Sequence, residues 1–384
     1  MKKICILTAT RAEYGLLKRL IRQLKGEETF DVRIAVTGAH LSPEFGLTYK
    51  EIEEDGFVID EKIEMLLSSD SPAAISKSMG LAMIGFADYF ERTKPDLLLV
   101  LGDRYETLAV CCAALNQRIP IVHLHGGEAT EGSIDEAIRH AITKMSYLHF
   151  TSTEDYRRRV IQLGEEPSSV FNVGSLGVEN VLHEDLLKKA ELEKSIDWEL
   201  KKPYAVVTFH PVTLENKTSA EQIEELLCAI ALNKQYQFII TKANADSDGR
   251  VINTLIDKFA KENKHVKSFF SLGLKRYLSA VKYASFVIGN SSSGVIEVPS
   301  FGIPSINIGD RQKGRIQAKS VLNCIADCNA INQMINRALS SEFQESIDGT
   351  NPYYKENTSS EIVKVLKSFV ISEKIDLKKA FYDL

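Results

Sequence analysis

KICILTATRAEYGLLKRLIRQLK, residues 3–25, reads as one strand and one helix joined by a charged turn. KICILTA is apolar without alternation, the pattern of a strand buried on both faces and therefore of a parallel sheet covered by helices. Leu16, Leu17, Leu20, Ile21 and Leu24 then recur at helical spacing. Between them Thr10 and Glu13 have the spacing of a capping box, and Arg11 stands where a strand hands over to a helix. The unpaired N–H groups and helix dipole at such an edge favour an anion. Arg11 is then either a surface residue beside an ordinary cap or a contact to phosphate or carboxylate. The turn has no G-x-G-x-x-G, so the dinucleotide fingerprint is missing where it most often stands, which argues against an NAD-binding first domain.

The same grammar continues along the chain. DVRIAVTGA, PDLLLVLGD, RIPIVHLHGG, YLHFTST and SVFNVG are further strands of a first series. A charge-rich helix and linker, residues 182–203, follows. YAVVTFHP, YQFIITKAN, VKSFFSLG, ASFVIGN and GIPSINIG make a second series. The expectation is an α/β protein of two units, 1–182 and 200–365, facing each other across a cleft, with residues 366–384 packing back on the first.

Composition narrows the function classes. With 384 residues, 44% of them hydrophobic, the chain is long for one core and suited to two domains. A balance of 47 basic and 52 acidic residues, net −5, gives no reason to expect a nucleic-acid binder. Six cysteines form no dense disulfide framework, and no run reaches the ~20 apolar residues of a membrane span. A cytoplasmic protein is expected, with no membrane and no nucleic-acid partner.

Chemistry-bearing residues collect at the strand ends, where open α/β sheets bind ligands. After the third strand, Gly102 permits a tight turn and Asp103 is either a helix cap or a catalytic carboxylate. After the fourth, His123 and His125 alternate with Leu124 and so share a strand face, followed by Glu128 and then Asp135 at a helix start. The spacing is not HExxH and no cysteine is near, so a metal site is not expected. Asp103, Glu128 and Asp135 could instead meet as acid–base groups, their proton affinities tuned by mutual proximity. In the second series His210 and Asn244 close two strands. Asn290, Ser291, Ser292 and Ser293 surround a helix start suited to a diphosphate, Glu297 could accept the hydroxyls of a ribose, and Arg311 follows the next strand. His40, in the loop GAHLSPEFGLTY, either faces a sugar or covers the sheet.

The motifs TRAEYG, GDRYETLA, HGGEATEGSIDEAIRHAITK, HPVT, GNSSSGVIEVPSFG and NIGDRQKGR, spanning residues 8–315, resemble those of the UDP-N-acetylglucosamine 2-epimerase family. The likeness is to its hydrolysing branch, used in sialic-acid-type biosynthesis; the non-hydrolysing branch typically carries a TRPE-like first turn and a GHRRE-like histidine segment instead. The resemblance implies two facing Rossmann-like domains, GT-B-like, with the active site in the interdomain cleft. It implies a homo-oligomer, dimer or tetramer, and no required cofactor, UDP being product and ligand. By similarity, Asp103, Glu128 and Asp135 are the acid–base carboxylates, and His210 and Arg11 assist at the diphosphate. Ser291, Ser292, Glu297 and Arg311 hold UDP, with Asn244 a further contact.

The implied reaction is anti elimination of UDP from a UDP-linked 2-acetamido sugar to a 2-acetamidoglycal, then syn addition of water, giving a free N-acetylmannosamine-type sugar. The C2 proton is weakly acidic and needs a well-placed base, and the departing diphosphate needs cations. No hydride moves, so NAD is not required. The alternatives are UDP-2,4-diacetamido-2,4,6-trideoxyglucose as substrate (a legionaminic-acid-type pathway), a glycosyltransferase of the same architecture, or a non-enzymatic nucleotide-sugar binder.

Overall fold

The computed structural model describes residues 1–212, 219–243, 249–371 and 377–384. It divides into two compact units. The first comprises residues 1–128, 135–180 and 353–384, and the second residues 129–134 and 181–352.

In the first unit seven parallel strands, β1 (Lys2–Thr8), β2 (Phe30–Thr37), β3 (Glu61–Ile63), β4 (Leu97–Leu101), β5 (Ile121–Leu124), β6 (Leu148–Thr151) and β7 (Val170–Asn172), lie in the order 3-2-1-4-5-6-7. This is the Rossmann order, and the strand order reverses between β1 and β4. The unbroken apolar runs have their explanation in the two cores. Ile4, Ile6, Leu97 and Leu99 pack into one, Cys5, Leu7, Leu98 and Val100 into the other, so alternate residues serve opposite faces.

The second unit repeats the plan with six parallel strands, β8 (Tyr204–Thr208), β9 (Gln237–Thr241), β10 (Val266–Phe269), β11 (Phe286–Gly289), β12 (Ser305–Ile308) and β13 (Val321–Cys324), ordered 10-9-8-11-12-13. Its reversal lies between β8 and β11. Ala205 and Val207 enter one core, Tyr204 and Val206 the other.

Chain boundaries differ from the sequence expectation. Residues 353–365, expected in the second unit, belong to the first. Helix Thr358–Ile371 puts Ile362, Val363 and Leu366 into the core beneath β1, beside Leu17, Leu20 and Leu24 of helix Arg11–Lys25. Its start is pinned by Thr358 Oγ1 donating to the Val173 carbonyl (2.8 Å) and Ser359 N donating to the buried Glu179 carboxylate (3.1 Å). Residues 377–384, expected on the first unit, are placed there: Lys379 Nζ reaches Glu165 Oε2 (2.5 Å) and Tyr382 N donates to the Gly164 carbonyl (3.0 Å). Residues 129–134 fall with the second unit, where Arg315 Nε donates to the Ala129 carbonyl (3.0 Å).

A disulfide joins Cys228 to Cys328, with Cα atoms 5.7 Å apart and a sequence separation of 100. Sequence spacing gave no hint of it, because the pair meets only where helices Ser219–Leu232 and Cys328–Ala338 pack on the same sheet face. A cross-link closing so long a loop is worth about 2–4 kcal/mol. Dithiothreitol should therefore lower the unfolding midpoint, and Cys328→Ser should remove that sensitivity; identical melting curves with and without reductant would show free thiols. Among the described residues no helix is long and apolar enough to cross a membrane.

Candidate active site

In the first unit the polar groups gather at the carboxyl edge of the sheet, around the reversal between β1 and β4. The capping box forms as its spacing predicts. Thr10 has extended backbone and its Oγ1 accepts from Glu13 N, while Glu13 Oε2 accepts from Ala9 N (2.6 Å) and Thr10 N (3.3 Å). This holds Arg11, the first helical residue, half-buried at the edge. Burial lowers its pKa to about 10, which leaves a cation at neutral pH.

Glu13 is 6% exposed, and burial, with Glu106 nearby and despite Arg104 and the two N–H donors, raises its carboxyl to about 7. A carboxyl whose folded pKa exceeds the unfolded one contributes stability below about pH 4.5, and that contribution is lost as pH rises towards 7. Glu13→Gln should flatten the stability–pH curve across this window by about 3 kcal/mol. Parallel curves for the two proteins in chemical denaturation would refute the assignment.

Asp103 follows Gly102, whose φ of +78° is the left-handed geometry the tight turn requires. The Asp103 carboxylate accepts from Arg139 Nη2. Arg139 is 1% exposed; its Nη1 also donates to the Glu128 carbonyl (2.9 Å) and to Glu136 Oε2 (2.7 Å). One buried guanidinium thus ties the end of β4, the loop after β5 and helix Asp135–Met145. Sequence reasoning missed it, although an arginine on the face that also buries Ile142 and Thr143 was a visible signal. Asp135 opens the same helix, one turn before Arg139, and is half-buried. Glu128 is 3% exposed and its Oε1 accepts from Ser152 Oγ (2.8 Å). Arg104, also unassigned from sequence, chelates the fully buried Glu106 with bonds of 3.1 and 3.0 Å.

Two histidine expectations change. His123 and His125 do not share a face. His123 lies within β5, fully buried, its Nε2 donating to the Gly102 carbonyl (2.8 Å) and its Nδ1 bonded to Thr143 Oγ1 (3.2 Å). Burial lowers its pKa to about 3, so it is a neutral prop under the Asp103 turn. His125 stands past the strand, where a φ of +64° turns the chain. His40 is also fully buried, with ring nitrogens on Thr8 Oγ1 (2.9 Å) and Thr48 Oγ1 (2.8 Å). Both nitrogens are committed, so it covers the sheet rather than lining a sugar pocket.

In the second unit the reversal between β8 and β11 is closed by Asn290. Its side chain accepts from His210 N (2.7 Å) and donates to the His210 carbonyl (2.8 Å), while its own carbonyl accepts from Arg311 Nη1 (3.1 Å) and Gln312 Nε2 (2.8 Å). A fully buried asparagine thereby places both His210 and Arg311. Sequence reasoning counted Asn290 only as a member of the serine-rich turn. Close approach explains the glycine before it: at Gly289 φ is +141° and a Cβ would lie 1.9 Å from the Thr208 carbonyl oxygen.

The serine turn is less helical than expected. Helix Ser293–Ile296 has four residues, and Glu297 is its C-cap rather than a residue inside it, because a 3₁₀ turn containing Pro299 begins at Val298. So short a helix has little dipole. Ser291, Ser292 and Arg311 stand half-buried at this edge. Asn244 lies outside the described residues. Among the described residues no group of three His, Cys, Asp or Glu side chains is arranged to hold a metal.

The first edge therefore offers carboxylates clamped by arginines, suited to moving protons, and the second offers a histidine, hydroxyls and a cation, suited to an anion. A family model described as UDP-N-acetylglucosamine 2-epimerase matches residues 22–367. The chain is 46% identical over 346 residues to the GDP/UDP-N,N'-diacetylbacillosamine 2-epimerase (hydrolyzing) of Campylobacter jejuni, covering 90% of this chain and 89% of that one. It is 44% identical over 386 residues to polysialic acid biosynthesis protein P7 of Escherichia coli, covering 100% and 98%. The crystal structure of UDP-GlcNAc 2-epimerase from Neisseria meningitidis bound to UDP-GlcNAc has a TM-score of 0.80 at 19% identity, covering 96% of this chain and 100% of that one. At that identity the likeness is one of fold.

Proposed function

The chain belongs to the UDP-N-acetylglucosamine 2-epimerase family, as an enzyme of its hydrolysing branch, and from that premise we propose that it converts UDP-N-acetylglucosamine to UDP and N-acetylmannosamine. The observation that carries the reading is the carboxylate group at the first switch point, with Asp103 on Arg139 and Glu128 on Ser152. These residues and Asp135 manage the proton at C2 and the water added to the glycal. His210, Arg11 and Arg311 meet the charge of the leaving diphosphate, and Ser291, Ser292 and Glu297 hold the nucleotide. The two Rossmann-like units are GT-B-like in this reading. Water and the UDP-sugar are the only reactants; a glycosyltransferase would need a sugar acceptor, which this chemistry does not.

A second substrate is favoured by the Campylobacter relative, whose name specifies N,N'-diacetylbacillosamine, the 2,4-diacetamido-2,4,6-trideoxy sugar. Time-resolved NMR of the protein with each UDP-sugar and no acceptor separates the readings. UDP release with a free 2-epimeric sugar is the expected result, and the faster substrate identifies the pathway. Return of a UDP-linked epimer, or no UDP release from either sugar, would refute the hydrolysing assignment.

A further inference from the structure

His125 departs from the backbone geometry that most side chains adopt. Its φ of +64° lies in the left-handed region, which a β-carbon disfavours and glycine adopts freely. Gly126 and Gly127 follow it, so glycine was an available solution at this bend. Strain kept at a strand end beside acid–base groups points to a use for the side chain that maintains it.

The ring's surroundings indicate that use. The main chain is held by His125 N donating to the Phe150 carbonyl (2.8 Å), and the residue is 8% exposed. Its Nδ1 lies 3.5 Å from Glu128 Oε1, the oxygen that also accepts from Ser152 Oγ at 2.8 Å. Arg139, itself paired with Asp103, donates to the Glu128 carbonyl. The Glu128 backbone is therefore fixed by Arg139, and its carboxylate is approached at one oxygen by a hydroxyl and an imidazole. Two groups converging on one oxygen set the plane of the carboxylate, and a general base works only when its lone pair is aimed at the proton it takes.

We propose that His125 is a positioning residue for Glu128, its imidazole holding Oε1 so that the carboxylate is presented correctly for proton transfer. This rests on the acid–base role given to Glu128 under the proposed function. It goes beyond that role in assigning the left-handed histidine a purpose and in separating it from His123, whose ring braces the Asp103 turn.

Three variants test it, assayed with UDP-N-acetylglucosamine and UDP-N,N'-diacetylbacillosamine. His125→Gly removes the ring while accepting the backbone geometry, so folding should persist, with a thermal midpoint within a few degrees of wild type. Its kcat should fall by about 10- to 100-fold, with KM changed by less than about threefold. His125→Asn tolerates the left-handed backbone and puts an amide nitrogen near the place of Nδ1, so it should recover most of the lost kcat. Wild-type kcat in His125→Gly, or a His125→Asn enzyme as slow as His125→Gly, would overturn the proposal. Glu128→Gln keeps the two failures apart. If it is inactive while His125→Gly is fully active, the positioning role falls and the acid–base reading of Glu128 stands. If Glu128→Gln is fully active, both fall.

Discussion

Replacing Asp103 by asparagine is expected to lower kcat by about 10²- to 10⁴-fold, the usual contribution of a positioned acid–base group, with UDP affinity changed by less than about threefold. The substitution keeps the side chain's size and its place after the left-handed Gly102, so the turn survives. What changes is the charge. Arg139 is 1% exposed and pairs with Asp103 and Glu136 while bonding to the Glu128 carbonyl. Removing a carboxylate partner leaves a buried guanidinium less compensated, and both the proton-transfer group and the clamp on the Glu128 loop weaken together. UDP affinity is the control, because the groups assigned to UDP belong mainly to the second unit. Isothermal titration with UDP beside steady-state kinetics checks the split. Unchanged turnover would remove Asp103 from the chemistry, whereas UDP affinity falling in step with turnover would make it a binding residue.

Gly289→Ala is expected to be the most damaging single methyl group in the second unit, destabilising it by at least about 3 kcal/mol and abolishing measurable UDP binding. The added Cβ would sit 1.9 Å from the Thr208 carbonyl oxygen, backbone that has no rotamer with which to yield. The φ of +141° is costly for any residue with a side chain. Relief requires β11 to move from β8, and Asn290 spans that joint through its two bonds to His210. The same displacement carries away the carbonyl that accepts from Arg311. Urea unfolding and UDP titration of the variant check both effects. A folded variant with wild-type UDP affinity would show that the β8–β11 joint does not position the anion-binding edge.

Much of this architecture was legible from local pattern. Unbroken apolar runs such as LLLVL arise because each strand is buried on two faces, and that requirement acts on every residue of the strand. The capping box of Thr10 and Glu13 spans three residues and was visible for the same reason. Their position after strands put Asp103, Glu128 and Asp135 at the edge of one series and His210 and Arg311 at that of the other, and the motif resemblance suggested roles for them. Hidden were the residues that hold those groups still. Asn290 and Ser152 carry no signature at short range, because each is defined by a partner tens of residues away in the chain, and Arg139 showed only its place on a buried helix face, not its tie to Asp103. His40 was ambiguous for a related reason: a loop histidine is polar in sequence whether its nitrogens meet a ligand or two buried threonines.

By itself the sequence determined the alternation of strand and helix, the two Rossmann-like series and the chemical types at their carboxyl edges. Periodicity, caps and glycine turns are local consequences of burial and backbone geometry. Only the tertiary structure decided which groups are held together. The placing of residues 353–365 in the first unit, the Cys228–Cys328 bond and the clamps of Arg139 and Asn290 all join positions far apart in the chain. Such contacts are selected by packing and by the need to satisfy buried polar groups, which no short stretch of sequence expresses.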